Sequence, residues 1–126
     1  MAAHRGGPFD GATCLLTLHF IPREERLRTL VELRQRLKPG APLIVAHHSF
    51  PQTKAEKAIW LERYAAFAIA SGVPIEKARN AAKEIGNKLP VLSPEQDEAL
   101  LQEAGFSGTR VFYAGLTFRG WITFNS

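Results

Sequence analysis

The sequence predicts an α/β fold whose sheet is mostly parallel and ends in an antiparallel hairpin. Two segments that are apolar on both faces, 12–20 and 42–50, flank a segment with helical leucine spacing. This order is typical of a βαβ unit with two buried parallel strands. Near the C-terminus, two aromatic-rich runs, 110–114 and 117–124, are separated by only two residues, which favours a hairpin. We therefore expect the sheet order first, second, fourth, third strand, with the fourth antiparallel to the rest.

Helix signals occupy the segments between these strands. The first expected helix begins after Pro22, and its apolar stripe is formed by Leu27, Leu30, Leu33 and Leu37. Two further helices are expected after the second strand, one begun by a capping box at Thr53 and one begun at Pro74. A last helix begins with a capping box at Ser93 and ends at Gly105, just before the hairpin.

Length, charge and cysteine content limit the class of protein. The 126 residues are enough for one compact domain with a single core. The net charge is +4, and the basic residues form no run of five, so no nucleic-acid-binding surface is expected. No apolar stretch is long enough to cross a membrane, and residues 1–10 lack the apolar segment of a signal peptide. The single cysteine, Cys14, allows no internal disulfide, so we expect a cytoplasmic protein.

Several short strings resemble motifs of class I S-adenosylmethionine-dependent methyltransferases, in that family's order. Phe9-Asp10 followed by 12–20 is similar to the family's fourth strand, which ends in Leu-His or Leu-Gln at the methyl-transfer centre. The string Leu37-Lys38-Pro39-Gly40 is similar to the turn into the fifth strand, and Ala104-Gly105-Phe106 resembles the turn into the sixth. The resemblance covers residues 9–124. It implies the C-terminal half of a Rossmann-like fold, S-adenosyl-L-methionine as cofactor, and a small molecule as substrate.

The resemblance also implies where a site would lie. Leu15, Leu16 and Thr17 lie in the segment 12–20, which is similar to the family's fourth strand, and they would line the cofactor. His19 follows them at the carboxyl end of the strand, where open α/β sheets bind ligands. There it would hydrogen-bond or deprotonate a substrate nucleophile, or it would be a polar residue bonded to backbone.

Two neighbouring histidines end the second strand. Adjacent strand residues point to opposite faces, so one of His47 and His48 is expected in the substrate pocket and the other packed or solvated. Because only two other histidines and no cysteine pair are present, we expect no metal site.

The segment 52–90 is expected to be a helical insert. In it, Trp60, Tyr64 and Phe67 share one helical face. They either pack in the core or form a lid over the substrate, because the resembled family inserts specificity elements at this point.

The layout of this insert is similar to that of the carboxy-S-adenosylmethionine synthase family. That family has a Lys-Arg pair in the first insert helix, where the Arg serves the carboxylated cofactor, and an Asn in the fourth strand. The corresponding positions here are Ala68, Ile69 and Leu15. A carboxylate that leaves water needs a cation or several donors, so we expect that this chain does not perform the carboxylating reaction.

The glycine-rich turn that holds the cofactor in class I methyltransferases has no counterpart here, since no G-x-G-x-G string occurs. We therefore expect a truncated methyltransferase domain that is inactive by itself. The alternatives are a non-enzymatic methyltransferase-like dimerisation or binding module, and an unrelated small α/β binding protein. The strand 12–20 carries no Lys, Pro or inward charge that would protect a free edge, so a homodimer through this strand is expected.

Overall fold

The computed structural model describes residues 7–126, so His4 and Gly6 lie outside the described part. Its elements, in chain order, are β1 (Ala12–Leu15), α1 (Arg23–Gln35), β2 (Pro42–His48), α2 (Lys54–Ala70), α3 (Ile75–Lys88), α4 (Pro94–Glu103), β3 (Phe106–Gly115) and β4 (Phe118–Asn125). Within this range, no helix is long and apolar enough to cross a lipid bilayer.

The four strands form one sheet in the order β1-β2-β4-β3, as predicted. β1 and β2 are parallel, with Ala12 opposite Leu43 and Leu15 opposite Ala46. β4 runs antiparallel to both of its neighbours and lies in the interior of the sheet. The predicted hairpin of β3 and β4 is present, and β3 carries two register irregularities opposite the regular β4. The predicted α/β fold class is therefore confirmed.

The first strand is shorter than the prediction of 12–20, which was wrong beyond Leu15. Leu16 has a left-handed backbone, with φ of 57°, and this turns the chain away from the sheet direction. The Thr17 hydroxyl then donates to the Leu15 carbonyl oxygen at 3.0 Å, and Leu18–Phe20 form a 3-10 turn. A single apolar run in the sequence thus contains both a short strand and a turn.

The main core lies between the sheet and the helices α1 and α4. Leu43 and Val45 of β2 point to this face, and Trp121 of β4 is fully buried there. A second, smaller cluster lies under the insert, where Phe50, Ile85 and Val91 pack with Trp60, Leu61, Tyr64 and Leu89. The insert helices α2 and α3 therefore share a small core of their own beside the carboxyl end of β2.

The helix ends follow the signals in the sequence. Ser93 and Gln96 form the full reciprocal capping box that begins α4, and Thr53 accepts the Glu56 backbone N–H at the start of α2. At the other end of the sheet, the Asn125 side-chain amide donates to the Leu37 carbonyl oxygen at 2.9 Å. The last strand is thereby fastened to the turn that follows α1.

Candidate functional site

The candidate site lies where the two parallel strands end, at the edge of the sheet that binds ligands in open α/β folds. The turn after β1 carries His19 and Phe20, and the end of β2 carries His48. His19 is 4% exposed, whereas Phe20, beside it, is 63% exposed. The left-handed residue Leu16 and the 3-10 turn bring the His19 ring against the end of β2, which a straight strand of nine residues would not do.

One hydrogen bond joins the two histidines. The backbone N–H of His48 donates to Nδ1 of His19 at 2.9 Å, and the ring centroids are 4.7 Å apart. Burial lowers the pKa of His19 to about 4, with additional repulsion from His47 and Arg26. Burial likewise lowers the pKa of His48 to about 4, with repulsion from His19 and His47. Both rings are therefore neutral at pH 7.

His48 is enclosed by groups from three other segments. Its Nδ1 lies 2.8 Å from the Thr117 hydroxyl, its ring stacks on Phe118 at 4.2 Å, and the Tyr64 ring lies 6.0 Å away. Thr117 is itself fully buried in the turn between β3 and β4. Thr117 and Phe118 could not be assigned to the site from local sequence patterns, because their proximity to His48 depends on the pairing of β2 with β4.

His47 and His48 point to opposite faces of the sheet, as strand alternation predicts. The His47 ring lies 5.6 Å from that of Trp121, on the core side, and is 1% exposed. Its Nε2 is 3.3 Å from an Asp97 oxygen, but neither ring nitrogen has a hydrogen-bond partner. Of the two neighbouring histidines, His47 is therefore the one that packs in the core, whereas His48, which is 6% exposed, lies on the other face at the end of β2.

A buried ion pair behind His47 was not predicted. Arg26 of α1 is fully buried and donates to Asp97 of α4 at 2.9 Å. It also donates to the carbonyl oxygens of Ile21 and Pro90, at 3.1 and 2.8 Å. The Ser49 hydroxyl donates to the other oxygen of Asp97 at 2.6 Å. This network connects Ile21, which follows the His19 turn, with Ser49, which follows β2, and with Pro90, which follows the insert helices.

The sequence did contain a signal for this pair. Arg26 lies four residues before Leu30, on the apolar stripe of α1, and Asp97 lies three residues before Leu100, on the apolar stripe of α4. A charge on a buried stripe requires a partner of opposite charge. Two such charges on separate helices therefore indicate an ion pair between those helices.

The aromatic residues of α2 are divided between its two sides. Trp60 and Tyr64 are half-buried in the small core under the insert, and the Arg63 guanidinium lies 5.1 Å from the Trp60 ring centroid. Phe67 is 59% exposed and is not part of this cluster. The i, i+4, i+7 spacing placed Phe67 with the other two, but the helix buries Ala65 and leaves Phe67 in solvent.

The residues expected to line the cofactor are accessible. Leu15 and Leu16 are each 55% exposed, and Thr17 is exposed with its hydroxyl bonded to backbone. Ala68 and Ile69, the two positions that the resemblance matches to a Lys-Arg pair, are half-buried near the end of α2. Within residues 7–126, no three His, Cys, Asp or Glu side chains come together in an arrangement that could hold a metal ion.

Comparison with known sequences identifies relatives of one kind, although no family model matches the chain. The chain is 35% identical over 118 residues to a carboxy-S-adenosyl-L-methionine synthase of Ectopseudomonas mendocina, covering 91% of this chain and 47% of that protein. It is 27% identical over 108 residues to the synthase of Chromohalobacter salexigens, covering 86% and 40%. The chain thus spans about half the length of the curated relatives it matches.

Solved structures show the same fold at low sequence identity. Human N-acetylserotonin methyltransferase in complex with S-adenosylmethionine matches with a TM-score of 0.61 and 14% identity, over 96% of this chain and 31% of that one. An O-methyltransferase family protein from Burkholderia thailandensis matches with a TM-score of 0.64 and 14% identity, over 97% and 32%. These matches show that the chain shares the fold of solved methyltransferases.

Proposed function

We propose that this chain supplies the substrate-facing half of an S-adenosylmethionine-dependent methyltransferase that acts on a small molecule. The observation that carries the proposal is the cluster of His19, Phe20 and His48 at the carboxyl ends of β1 and β2. This is the edge where open α/β sheets bind their ligands. The curated relatives and the fold of the solved methyltransferases support the same assignment.

The part of the cofactor site that this chain offers is apolar. Leu15 and Leu16 would contact the apolar surface of S-adenosylmethionine, which supplies the methyl group when it is bound. Thr17 already donates its hydroxyl hydrogen to the Leu15 carbonyl. The polar ribose and carboxylate groups of the cofactor need several hydrogen bonds, each contributing about 1 kcal/mol and more when charged. A half-site without them binds S-adenosylmethionine orders of magnitude more weakly than a complete one.

Methyl transfer is favoured over the carboxylating reaction named for the curated relatives. Ala68 and Ile69 provide neither a cation nor a hydrogen-bonding side chain for a carboxylate. The guanidinium of Arg63, five residues earlier, lies over Trp60 instead. A complete domain with this C-terminal half is therefore expected to prefer S-adenosylmethionine to its carboxylated form.

Complementation with the remaining half tests this proposal. Titration calorimetry on the chain alone, with millimolar S-adenosylmethionine, is expected to show weak binding or none. Co-expression with the part of the Ectopseudomonas mendocina relative that lies outside the match is expected to restore binding to within about tenfold of that relative, about 1.4 kcal/mol.

Three results are informative. Binding of S-adenosylmethionine in the low micromolar range by the chain alone would contradict the half-site. A complemented domain that binds no cofactor would contradict the methyltransferase proposal. Tighter binding of the carboxylated cofactor by the complemented domain would assign the carboxylating reaction instead.

A second candidate function, a dimerising or binding module, is favoured by the outer edge of β1, with which no described strand pairs. The Leu16 N–H bonds to Ala46 of β2, so by strand alternation Thr13 and the Leu15 N–H face away from the sheet. The Thr17 hydroxyl already donates a hydrogen bond to the Leu15 carbonyl oxygen. Only a short stretch of the β1 edge can therefore pair with another strand. We propose a second copy of this chain as its occupant, with the two β1 strands antiparallel about a twofold axis.

The surface around this edge is self-complementary. An apolar groove of about 440 Å³ runs between β1 and α1, with Cys14, Leu18, Ile21 and Leu33 among its lining residues. Glu25, Arg28 and Glu32 of α1 alternate in charge along the same groove. Leu16 and Phe20, whose side chains are exposed, are sequence neighbours of residues that line this groove. A twofold axis would place apolar side chains of one copy against the groove of the other, and would set Arg28 against acidic residues.

Sedimentation at several concentrations tests the dimer. The wild-type chain is expected to dimerise, and Leu16→Lys is expected to be monomeric, because it places a charge at the pairing edge. Phe112→Lys is a matched control, since Phe112 is 56% exposed on β3, at the opposite edge of the sheet. A wild-type chain that stays monomeric at high concentration, or equal effects of both variants, would contradict this candidate.

A further inference from the structure

The hydrogen bond between His48 and His19 fixes which nitrogen of His19 carries hydrogen. A backbone N–H can only donate, so the Nδ1 atom that accepts from His48 at 2.9 Å must present a lone pair. A neutral imidazole carries one hydrogen, which must then be on Nε2. The tautomer of His19 therefore follows from the backbone of β2.

This tautomer removes His19 as a proton acceptor. Nε2 already holds a hydrogen, and protonation at Nδ1 would break the bond and leave the buried His48 N–H without a partner. The pKa of about 4, which burial produces, agrees with this conclusion. The expectation that His19 deprotonates a substrate nucleophile does not fit the geometry, and a proton lost by such a nucleophile must go to another group.

The Nε2–H of His19 is available to a ligand. No described residue hydrogen-bonds to it, and it is not among the polar atoms that are sealed from solvent without a partner. The neighbouring Phe20 ring meets the His19 ring edge-on at 4.5 Å and is itself exposed. The positive charge of Arg26 disfavours a cation at His19. The same electrostatic environment favours an oxygen acceptor, above all an anionic one.

We propose that His19 is a binding residue that donates its Nε2–H to an oxygen acceptor of a planar ligand, a carboxylate or phenolate, and is not a general base. The identification of that ligand as the methyl acceptor rests on the proposed function, whereas the donor role does not. The exposed Phe20 ring would contact the flat face of such a ligand.

Side-chain ¹⁵N NMR of the wild-type chain tests the tautomer. The expected result is a His19 signal with hydrogen on Nε2 from pH 5 to pH 8, without a titration midpoint in that range. Hydrogen on Nδ1, or a midpoint near the ordinary histidine value of about 6.5, would overturn the proposal.

Titration with benzoate tests the acceptor, and benzylamine, which is similar in size and opposite in charge, is the control. Benzoate is expected to shift the His19 Nε2 signal and benzylamine is not. His19→Asn keeps an acceptor for the His48 N–H but lacks the Nε2–H, so it is expected to lose at least about tenfold in benzoate affinity, while His19→Gln retains more. Absence of a benzoate effect on the folded wild-type chain, or equal effects of both ligands, would overturn the proposal. Because S-adenosylmethionine is not used, these outcomes are independent of the methyltransferase assignment.

Discussion

Replacement of Arg26 by Met is expected to destabilise the fold far more than loss of an ordinary ion pair. The Arg26 guanidinium is fully buried and bonds to Asp97, Ile21 and Pro90. The substitution leaves a 3%-exposed carboxylate without its cation, together with two backbone carbonyls that lose their donor. Breaking a buried pair from one side costs about 3–5 kcal/mol, a large part of the stability of a small domain.

The chain offers a matched control on the same two helices. Arg23 of α1 bonds to Glu103 of α4 at 2.9 Å, but its side chain is 43% exposed. Arg23→Met is expected to cost no more than about 1 kcal/mol, because solvent screens an exposed pair. Comparing the two variants therefore separates the effect of burial on the free energy of unfolding from the effect of having any ion pair between α1 and α4.

Urea unfolding followed by circular dichroism measures both effects. A double variant, Arg26→Met with Asp97→Leu, is expected to recover much of the loss, because a buried pair replaced by apolar residues is often neutral or stabilising. A loss below about 1 kcal/mol for Arg26→Met would refute the reasoning. A double variant whose loss in free energy of unfolding exceeds the sum of the two single losses would refute it as well.

Three further outcomes are expected. The pKa values of His19 and His48 are about 4 in the folded chain, so the unfolded chain binds more protons below pH 6.5. Stability should then be constant above pH 6.5 and fall towards pH 4 by up to about 1.4 kcal/mol per pH unit per histidine; a flat urea midpoint between pH 7 and pH 5 would contradict this. Gly105 and Gly40 both have positive φ, but a Cβ at Gly105 would overlap the Arg34 side chain of α1, whereas nothing lies within 4 Å of one at Gly40. Gly105→Ala should therefore displace Arg34 from the Gly105 carbonyl oxygen and lose about 0.5–1.5 kcal/mol more than Gly40→Ala in thermal unfolding. Burial raises the pKa of the Cys14 thiol, so iodoacetamide should modify Cys14 at pH 7.5 more slowly than it modifies a free cysteine; equal rates would show an accessible thiolate.

The strand order could be predicted because each connection carries a local signal. Helix caps, the Lys38-Pro39-Gly40 stop and the two-residue hairpin turn specify where the chain reverses. The early end of β1 could not be predicted in this way. Leucine at positive φ is unusual, and the apolar run gives no sign that it leaves the sheet at Leu16. That turn depends on the tertiary contacts of His19 with β2.

The candidate site shows the same division between local and tertiary information. Strand alternation separated His47 from His48, and position at a strand end identified His19. Which nitrogen of His19 carries hydrogen depends on a backbone N–H that is 29 residues away in sequence. The Arg26–Asp97 pair depends on how α1 packs against α4, over 71 residues. Local patterns therefore selected the residues of the candidate site, and long-range contacts determined how those residues are arranged.

The position of β4 has a consequence for synthesis on the ribosome. β4 is made after both β2 and β3, yet it lies between them in the sheet and carries the fully buried Trp121. Until residues 118–125 leave the exit tunnel, the emerged β2 has no partner on one side, and the core lacks its largest side chain. The nascent chain therefore keeps apolar surface open to chaperones until β4 has emerged and the sheet can close.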